Sequence, residues 1–407
     1  MYLCQIIGFG PAALGLFIAA DRDSSLGELL DGGLKVVDKG SPIQQWNGMD
    51  YHIEANSASI DFVSGINQNG LFSECLKSKS ATTLKEAGQD RISLRISSEF
   101  LLEVARTAHS LISSNPNCDL ETNRQISKIV KMKDGTYTTW DSKNQLVAQS
   151  ETVTIAIGAN ADRPPMERDC FPDASDKLCL SCEDILRDTS RDTLQKFIEN
   201  KSSILIRGGS HSAFSTADYI LSIAEGKLEK DQITIVHRHR VRQWFADADQ
   251  AGGVEALHSG DWPDLKNKDT GEINKFTGLR GRAKKLYEDI VSGREKKVNL
   301  VPLDATEIVS EKARNAQVIV DATGYVARQI IIEDEARNQI PLDWQGGNVL
   351  KDPQTREVMS NGRPLTGLYA LGLGFADPGV DGPQVGINFF HGPCSTAIVS
   401  QILSTSS

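Results

Sequence analysis

The chain has 407 residues, 39% of them hydrophobic and 24% charged, which is enough for two or three globular domains with buried cores. Its formal net charge of −10 argues against nucleic acid or an anionic membrane as a partner, and no apolar run is long enough to cross a membrane. The seven cysteines follow no disulfide spacing and the N-terminus lacks signal-peptide features, so we expect a reducing, cytoplasmic location.

The first sixteen residues carry a nucleotide-binding pattern. A short apolar run ending at Ile7 predicts a strand, and an Ala-rich apolar stretch from Leu14 predicts a helix. Between them lies a G-x-G-x-x-A turn, in which a glycine permits the turn, the next admits a pyrophosphate and the alanine allows close helix packing. The residues that we assign to cofactor binding here are Gly8, Gly10, Pro11, Ala12 and Ala13.

The next strand supplies the second half of this nucleotide site. Leu34 to Val37 is apolar and ends at Asp38, an acid placed to bind a ribose hydroxyl. We assign the adjacent Lys39 to the same site. The interval is longer than the usual twenty or so residues, and we expect 21–33 to be a polar loop that lengthens the crossover.

The following region predicts the remainder of a first nucleotide domain. Trp46 and Met49 are placed to flank a flavin ring, although buried packing alone would also explain them. Residues 51–95 are mixed and predict loops and short helices near the site. A helix over 97–113, a β-meander over 125–140 and a buried strand over 153–159 follow, an order found in many two-nucleotide flavoproteins.

A second nucleotide unit begins at Ser203. The strand over 203–207 leads into a glycine turn and an apolar helix, with Ser210 in the place of the second glycine; serine is small and can bind phosphate. The next strand ends in a basic run, 237–240, instead of an acid, which favours the 2′-phosphate of NADPH over NADH, the alternative being a solvated basic loop. The residues that we assign to cofactor binding here are Gly208, Gly209, Ser210, His211, Ser212, Ala213, Arg238 and Arg240.

The C-terminal half returns to the first domain. Residues 245–278 are polar with interspersed aromatics, including the neighbouring Trp244, and predict substrate-contacting loops. A buried strand ends at Gly324, and a second strand enters a glycine turn at Gly372, which we assign to the cofactor site. A last helix is expected from Pro393. Asn388 and His391 are the candidate catalytic residues, although His391 would equally serve as a hydrogen-bonding residue beside the helix start.

Cys179 and Cys182 form a C-x-x-C pair. The spacing fits a redox dithiol or half of a zinc site, or two incidental cysteines at a helix start. No second C-x-x-C or histidine pair lies nearby, so we predict no metal site.

Taken together, these motifs resemble those of the flavin-dependent N-hydroxylating monooxygenases of the ornithine and lysine type. Four segments, spread over nearly the whole chain, carry the resemblance: Gly8-Phe9-Gly10-Pro11, Trp46-Asn47-Gly48-Met49, Ala322-Thr323-Gly324-Tyr325 and His391-Gly392. The chain departs from the family pattern at Ser210, where a glycine is usual, and at Asn47, where a histidine is usual. The amine-anchoring residues of the family have no identifiable match in 51–95.

The resemblance implies an α/β fold with two Rossmann-like domains, the NADPH domain inserted in the FAD domain. We expect an FAD domain over 1–165 and 321–407 and an NADPH domain over 166–320. It also implies an enzyme in which NADPH reduces FAD, O2 forms a flavin C4a-hydroperoxide, and one oxygen is transferred to the nitrogen of a small-molecule amine. A homo-oligomer is compatible with the sequence. Two alternatives stay open: a disulfide or quinone oxidoreductase that uses the C-x-x-C pair, and a low-turnover flavin redox sensor.

Overall fold

A computed structural model describes residues 1–40, 51–160, 177–187, 191–252, 266–267, 270–275, 277–345, 347–379 and 382–405. Within these ranges, no helix is at once long and apolar enough to cross a lipid bilayer. The helices are α1 (Pro11–Arg22), α2 (Leu26–Asp31), α3 (Lys79–Ala87), α4 (Leu94–Ser114), α5 (Cys182–Leu186), α6 (Arg191–Glu199), α7 (His211–Ala224), α8 (Ala248–Gly252), α9 (Gly281–Val291), α10 (Thr306–Asn315), α11 (Ile387–Phe389) and α12 (Ser395–Ser404). Short 3₁₀ turns span Ser59–Phe62 and Ser73–Lys77, and a π turn spans Phe390–Cys394.

The larger sheet contains nine strands among the described residues. They are β1 (Tyr2–Ile7), β2 (Leu34–Val37), β3 (Asp119–Glu121), β4 (Ile126–Lys131), β5 (Tyr137–Asp141), β6 (Leu146–Ile155), β14 (Ile331–Asp334), β17 (Glu357–Ser360) and β18 (Arg363–Ala370). Strand β6 lies at the centre, because its first half pairs antiparallel with β5 and its second half pairs parallel with both β1 and β18.

The smaller sheet is parallel and has the order β11-β10-β9-β12-β8. Its strands are β8 (Leu178–Ser181), β9 (Ile204–Arg207), β10 (Ile233–His237), β11 (Val298–Pro302) and β12 (Val318–Asp321). Three two-stranded ribbons complete the strand set of the described residues: β7 (Ala159–Asn160) with β13 (Val326–Ala327), β15 (Trp344–Gln345) with β16 (Asn348–Val349), and β19 (Asp377–Gly379) with β20 (Gly382–Gln384).

The chain leaves the larger sheet after β6, builds the smaller sheet, and then returns. Strand β18 pairs with β6 and β14 pairs with β4, so residues beyond the smaller sheet complete the larger one. The outgoing ribbon strand β7 pairs antiparallel with the returning β13, which ties the two crossings together. Two Rossmann-like units, one inserted in the other, are therefore confirmed. The exact boundaries at 165 and 320 remain predictions.

Each sheet has its own buried core. The side of the larger sheet covered by α1 and α4 contains fully buried phenylalanines and leucines, such as Phe17, Leu14 and Phe100. The smaller sheet packs its apolar strands against α7 through Phe214 and Ile220. Two separate cores mean that each unit buries enough apolar surface to hold its own nucleotide turn in place.

Two details of the prediction were wrong. Residues 21–33 are not simply a polar loop, because α1 runs to Arg22 and α2 follows, with Leu26, Leu29 and Leu30 buried at helical spacing. The last helix, α12, begins at Ser395, within two residues of the predicted Pro393, but a helical segment that was not predicted precedes it. The chain is already helical at Ile387, and a break at Gly392, whose φ and ψ are −112° and −120°, separates this start from α12.

Candidate functional site

The first glycine turn follows β1 and is held by the strands on either side of it. Gly8 has φ +101°, donates its N–H to the Val37 carbonyl at 2.7 Å, and lies against the Ala156 carbonyl oxygen, which a Cβ at Gly8 would strike. A side chain is therefore excluded here by both conformation and space. The predicted reason for the first glycine, a tight strand-to-helix turn, agrees with this geometry.

Gly10 is different. Its φ of −87° and ψ of −176° suit any residue, and a Cβ placed on it would meet no protein atom within 4 Å. Neither its conformation nor protein packing therefore requires glycine. Gly10 is the N-cap of α1, where no side chain caps the first turn, and the space beside it is open. That arrangement suits a pyrophosphate at a helix N-terminus.

Asp38 lies beside this turn, where the end of β2 meets it. Its two carboxylate oxygens accept the N–H groups of Phe9 and Gly40, each at 2.6 Å. A carboxylate has about four acceptor positions, so two remain for ribose hydroxyls. The neighbouring Lys39 is exposed. Trp46 and Met49, which were predicted to flank the flavin, lie outside the described residues.

Residues from the far end of the chain reach the same helix start. Gly372, with φ +104°, places its backbone so close to Ala12 that a Cβ would meet the Ala12 methyl at 3.0 Å. His391 is buried, and its Nε2 lies 2.9 Å from the Pro11 carbonyl. Burial is the main reason that the pKa of His391 falls to about 4, so the ring is neutral at pH 7 and its Nε2–H donates to that carbonyl.

This geometry fits the interpretation of His391 as a hydrogen-bonding residue beside the helix start. Its catalytic role stays a prediction, as does that of Asn388. The Asn388 side chain is exposed, and its Oδ1 accepts the N–H of Phe389 at 2.9 Å. A Cβ on Gly386 would lie 3.1 Å from that oxygen and 3.6 Å from the Ser57 hydroxyl, so Asn388 and Ser57 flank the same point.

The second glycine turn repeats the arrangement in the smaller sheet. Gly208 has φ +138° and lies against the Ala322 carbonyl oxygen, as Gly8 lies against Ala156. Ala213, in the first turn of α7, is fully buried. Ser210 is the N-cap of α7, exposed and extended, with φ −129° and ψ −170°. Because that conformation suits any residue, serine replaces the usual glycine without strain, and its hydroxyl faces outward.

The basic segment 237–240 lies directly beside this turn. Strands β9 and β10 are parallel neighbours, and a Cβ on Gly209 would meet the His237 Cβ at 2.7 Å. Arg238 and Arg240 are both exposed. The structure thus brings together the glycine turn and the two cations assigned to the 2′-phosphate, although they are about thirty residues apart in the chain.

His211, the first residue of α7, links the second turn to a cavity. Its Nε2 accepts the backbone N–H of Arg280 at 3.1 Å, and burial together with the Arg280 charge lowers the pKa of His211 to about 4. Ser212, the next residue, shares a hydrogen bond with the Cys182 thiol. Both residues therefore have protein partners in addition to any role toward a cofactor.

The cavity beyond His211 is polar and has a volume of about 330 Å³. It is bounded by 52–56 and Arg91 from the larger unit and by α7 and the start of α9 from the smaller one. Sequence reasoning missed Arg91 and Arg280 as site residues, because neither lies in a motif. The one available signal was the prediction that the aromatic loops near Trp244 contact substrate, since both arginines lie over the Trp244 ring.

The C-x-x-C pair lies where β8 ends and α5 begins. Cys179 is exposed and Cys182 is buried; both are free thiols. Burial, with the nearby charges of Glu183 and Asp321, raises the pKa of Cys182 to about 11. Ser181, between the two cysteines, caps α5 through a reciprocal hydrogen-bond pair with Asp184. A raised pKa disfavours the thiolate that a redox dithiol needs.

Comparison with known proteins finds similarity in one curated sequence and in several solved structures. No protein-family model matches the chain. One curated relative, the CMP-5′-(3-aminopropyl)phosphonate hydroxylase of Streptomyces rubellomurinus, is 23% identical over 348 residues, covering 80% of this chain and 78% of the relative.

Solved structures agree on the fold. The ornithine hydroxylase of Pseudomonas aeruginosa matches with a TM-score of 0.59 at 13% identity, over 99% of each chain. The FAD-bound cadaverine monooxygenase of Erwinia amylovora matches with a TM-score of 0.56 at 13% identity, over 91% of this chain and 87% of that one. The thioredoxin reductase of Lactococcus lactis matches with a TM-score of 0.54 at 13% identity, over the full length of both.

The chain therefore has the fold shared by the flavin-dependent hydroxylating monooxygenases and thioredoxin reductase. The resemblance predicted from the sequence is confirmed at the level of fold, and the curated hydroxylase is in line with it. Because thioredoxin reductase has the same fold, the choice between these two activities depends on local chemistry.

We expect alanine substitution at the two glycines of the first turn to have opposite effects on stability and on FAD binding. Gly8→Ala should lower the free energy of unfolding of the FAD-free protein by about 2 kcal/mol or more, because φ is positive and the Ala156 carbonyl is in the way. Gly10→Ala should leave that stability nearly unchanged and instead weaken FAD binding. Urea unfolding and flavin-fluorescence titration would measure the two effects. Normal FAD affinity in Gly10→Ala would contradict the assignment of the open space to the cofactor.

We expect the stability of the folded chain to depend on pH through His211 and His391. Their pKa values of about 4 in the folded chain lie below the ordinary 6.5, so the unfolded chain binds protons first as the pH falls. Stability is fully present above 6.5 and is lost toward 4; His391 alone should contribute about 2 kcal/mol of loss between pH 7 and pH 5. His391→Gln should flatten the profile measured by urea unfolding relative to that of the wild-type chain. Equal slopes would refute the assignment.

Proposed function

We propose that the protein is an FAD-dependent, NADPH-reduced monooxygenase that adds one oxygen atom from O2 to the nitrogen of a small-molecule amine. The observation that carries the proposal is the pair of glycine turns. One has open space over Gly10 with an acid, Asp38, beside it, and the other has two exposed arginines beside it. An acid suits an unphosphorylated ribose and arginines suit a 2′-phosphate, so the two turns fit FAD and NADPH respectively.

The names of the similar proteins support an amine as the substrate. The curated relative is a CMP-5′-(3-aminopropyl)phosphonate hydroxylase, and the solved structures include an ornithine hydroxylase and a cadaverine monooxygenase. Each of these compounds carries a primary amine on a short alkyl chain. We infer that this protein also acts on a primary alkyl amine, by the oxygen-transfer route that the sequence resemblance implies, and that it does so in the cytoplasm.

Bound FAD would supply oxygen activation, and NADPH the electrons for it. The protein's own residues bind and orient these groups. The first turn of α1 would hold the FAD pyrophosphate, and Asp38 the ribose. The neutral His391 holds the Pro11 carbonyl, which keeps the helix start in register with the C-terminal segment. We assign Arg238 and Arg240 to the 2′-phosphate of NADPH, and Asn388 to the polar groups beside the reacting centre.

One observation favours a second candidate, a disulfide reductase. Cys182 lies beside Ser212 at the second glycine turn, and thioredoxin reductase is among the similar structures. The raised pKa of Cys182 and its burial weigh against it, because a buried protonated thiol is a poor nucleophile.

The function is tested by product analysis on the FAD-loaded protein. With NADPH, O2 and a panel of ornithine, cadaverine and 3-aminopropylphosphonate, at least one amine should yield its hydroxylamine, detected by mass spectrometry with ¹⁸O2 as the oxygen source. Cys179→Ser should leave this product and the rate of flavin reduction unchanged. A protein that reduces a disulfide acceptor, forms no labelled product and loses activity in Cys179→Ser would instead be a disulfide reductase.

The cofactor preference is tested separately. Arg238→Ala should raise the KM for NADPH about tenfold or more while leaving the KM for NADH nearly unchanged, because only NADPH carries the charge that the guanidinium would bind. Arg106→Ala removes an exposed arginine on α4 and is the matched control. Stopped-flow measurement of flavin reduction with each nucleotide gives both constants. Equal preference for the two nucleotides in wild type and Arg238→Ala would overturn the 2′-phosphate assignment.

A further inference from the structure

The polar cavity between the two units carries charges that the nucleotide turns do not use. Its wall on the side of the larger unit is formed by 52–56, Arg91 and Ser93. The opposite wall consists of one face of α7 and the start of α9. A volume of about 330 Å³ is sufficient for a small-molecule ligand.

The two acids of the cavity already have partners. Asp218 pairs with the Arg282 guanidinium at 2.9 Å. Glu54 accepts the backbone N–H of Arg282 through Oε2 at 3.0 Å, at the N-terminal turn of α9. The Arg282 guanidinium therefore neutralises Asp218, whereas Glu54 is held by a neutral backbone N–H; the other two cations of the cavity wall are Arg91 and Arg280.

Arg91 and Arg280 both lie over the ring of Trp244. Their guanidinium carbons are 5.2 Å and 5.0 Å from the centre of its ring. Arg91 donates from Nε to the Asn56 carbonyl at 3.1 Å, and Arg280 donates from Nη2 to the Lys275 carbonyl. Both partners are neutral, so these bonds orient the guanidiniums without cancelling their charges.

Carboxylates near the two arginines neutralise them only weakly. Glu272 lies 4.0 Å from Arg280 but pairs more closely with Lys275, at 2.9 Å. Asp61 is near enough for both arginines to act on its pKa, which burial nevertheless raises, and among the described residues it forms no ion pair with either. The Arg280 Nε is buried and has no hydrogen-bond partner there. Burial and the charge of Arg91 lower the pKa of Arg280 to about 10.

We propose that Arg91 and Arg280 bind a phosphate or phosphonate group carried by the amine substrate. The inference rests on the proposed monooxygenase function and specifies the class of amine. Two guanidiniums that line one cavity suit a doubly charged, tetrahedral group, whose oxygens can accept charge-assisted hydrogen bonds from both. A single carboxylate supplies one charge for two cations, and a simple diamine supplies none.

The cavity adjoins a segment that leads toward the first nucleotide turn, where we propose that FAD binds. Segment 52–57 has its first residues in the cavity wall and its last, Ser57, beside Gly386 and Asn388. The same C-terminal segment continues to His391, which contacts Pro11 at the first nucleotide turn. A substrate with its anionic end between the arginines would thus extend along this segment toward the proposed reacting centre.

The test is isothermal titration calorimetry on the FAD-loaded enzyme, with inorganic phosphate and with 3-aminopropylphosphonate. Both should bind, and the phosphonate should displace phosphate. Arg91→Gln and Arg280→Gln should each weaken binding about tenfold or more, because each removes a charge-assisted contact. Arg294→Gln, which removes an exposed arginine at the far end of α9, should leave binding unchanged. Arg91→Gln is the decisive variant if the loss of the Arg280 bond to Lys275 perturbs folding.

Steady-state kinetics distinguish whether the anion that the two arginines bind belongs to the substrate or to the cofactor. Arg91→Gln should raise the KM for 3-aminopropylphosphonate while leaving the KM for NADPH and the behaviour with cadaverine unchanged. If only the KM for NADPH rose, the arginines would bind a cofactor phosphate. If Arg91→Gln left the affinity for phosphate unchanged, phosphate would bind at an unrelated anion site. Either result overturns the inference. Failure of the proposed function appears differently, as the absence of labelled hydroxylamine from any amine.

Discussion

The close approach of backbone to backbone at the first glycine turn constrains the rest of the larger unit. Gly8 lies against the Ala156 carbonyl with a positive φ, so β1, β6 and the start of α1 can meet only if no side chain intervenes. One helical turn later, Gly15 lies against the Phe390 carbonyl and the Ser395 hydroxyl. The same helix is therefore fixed by β6 at one end and by the C-terminal segment along its side, which places Gly372 and His391 around its N-terminus.

A second contact network joins the larger unit to the smaller one. Tyr51 of the larger unit donates to Glu183 at 2.7 Å and accepts from Arg187 at 2.6 Å, and both partners lie in or just beyond α5 of the smaller unit. Burial raises the pKa of Tyr51, which keeps its hydroxyl protonated as a donor. The neighbouring His52 N–H donates to the Leu186 carbonyl at 2.8 Å. Because residue 52 also begins the wall of the polar cavity, this network positions the cavity together with the units.

The fold supports more than one chemistry, so side chains at the junction must distinguish among them. A hydroxylase and a thioredoxin reductase share this arrangement of two nucleotide units. A disulfide reductase needs an accessible thiolate near the second turn, and Cys182 is buried with a raised pKa. An amine oxygenase needs a polar substrate cavity, and we propose that the cavity with Arg91 and Arg280 in its walls serves this purpose.

The amino-acid sequence alone predicts both nucleotide turns, the strands around them and the basic segment that favours NADPH. Each of these depends on contiguous residues: a glycine is needed where φ is positive, an alanine where a helix must pack closely, and a charge where a strand ends. The insertion of one unit in the other was also predictable, because the buried strand near Gly324 and the glycine turn at Gly372 follow the second unit in the chain.

Contacts between side chains that are distant in the sequence are apparent only from the tertiary structure. His391 bonds the Pro11 carbonyl across 380 positions of sequence, and Arg91 joins Arg280 over Trp244 although neither arginine belongs to a motif. The helical start at Ile387 was missed for a related reason, since the segment that continues it, Phe390–Cys394, packs against α1. A local backbone requirement restricts which residue types can occur at neighbouring positions, so it can be predicted from a short stretch of sequence. A contact between separate elements depends on how the sheets and helices pack, and a short stretch of sequence does not predict it.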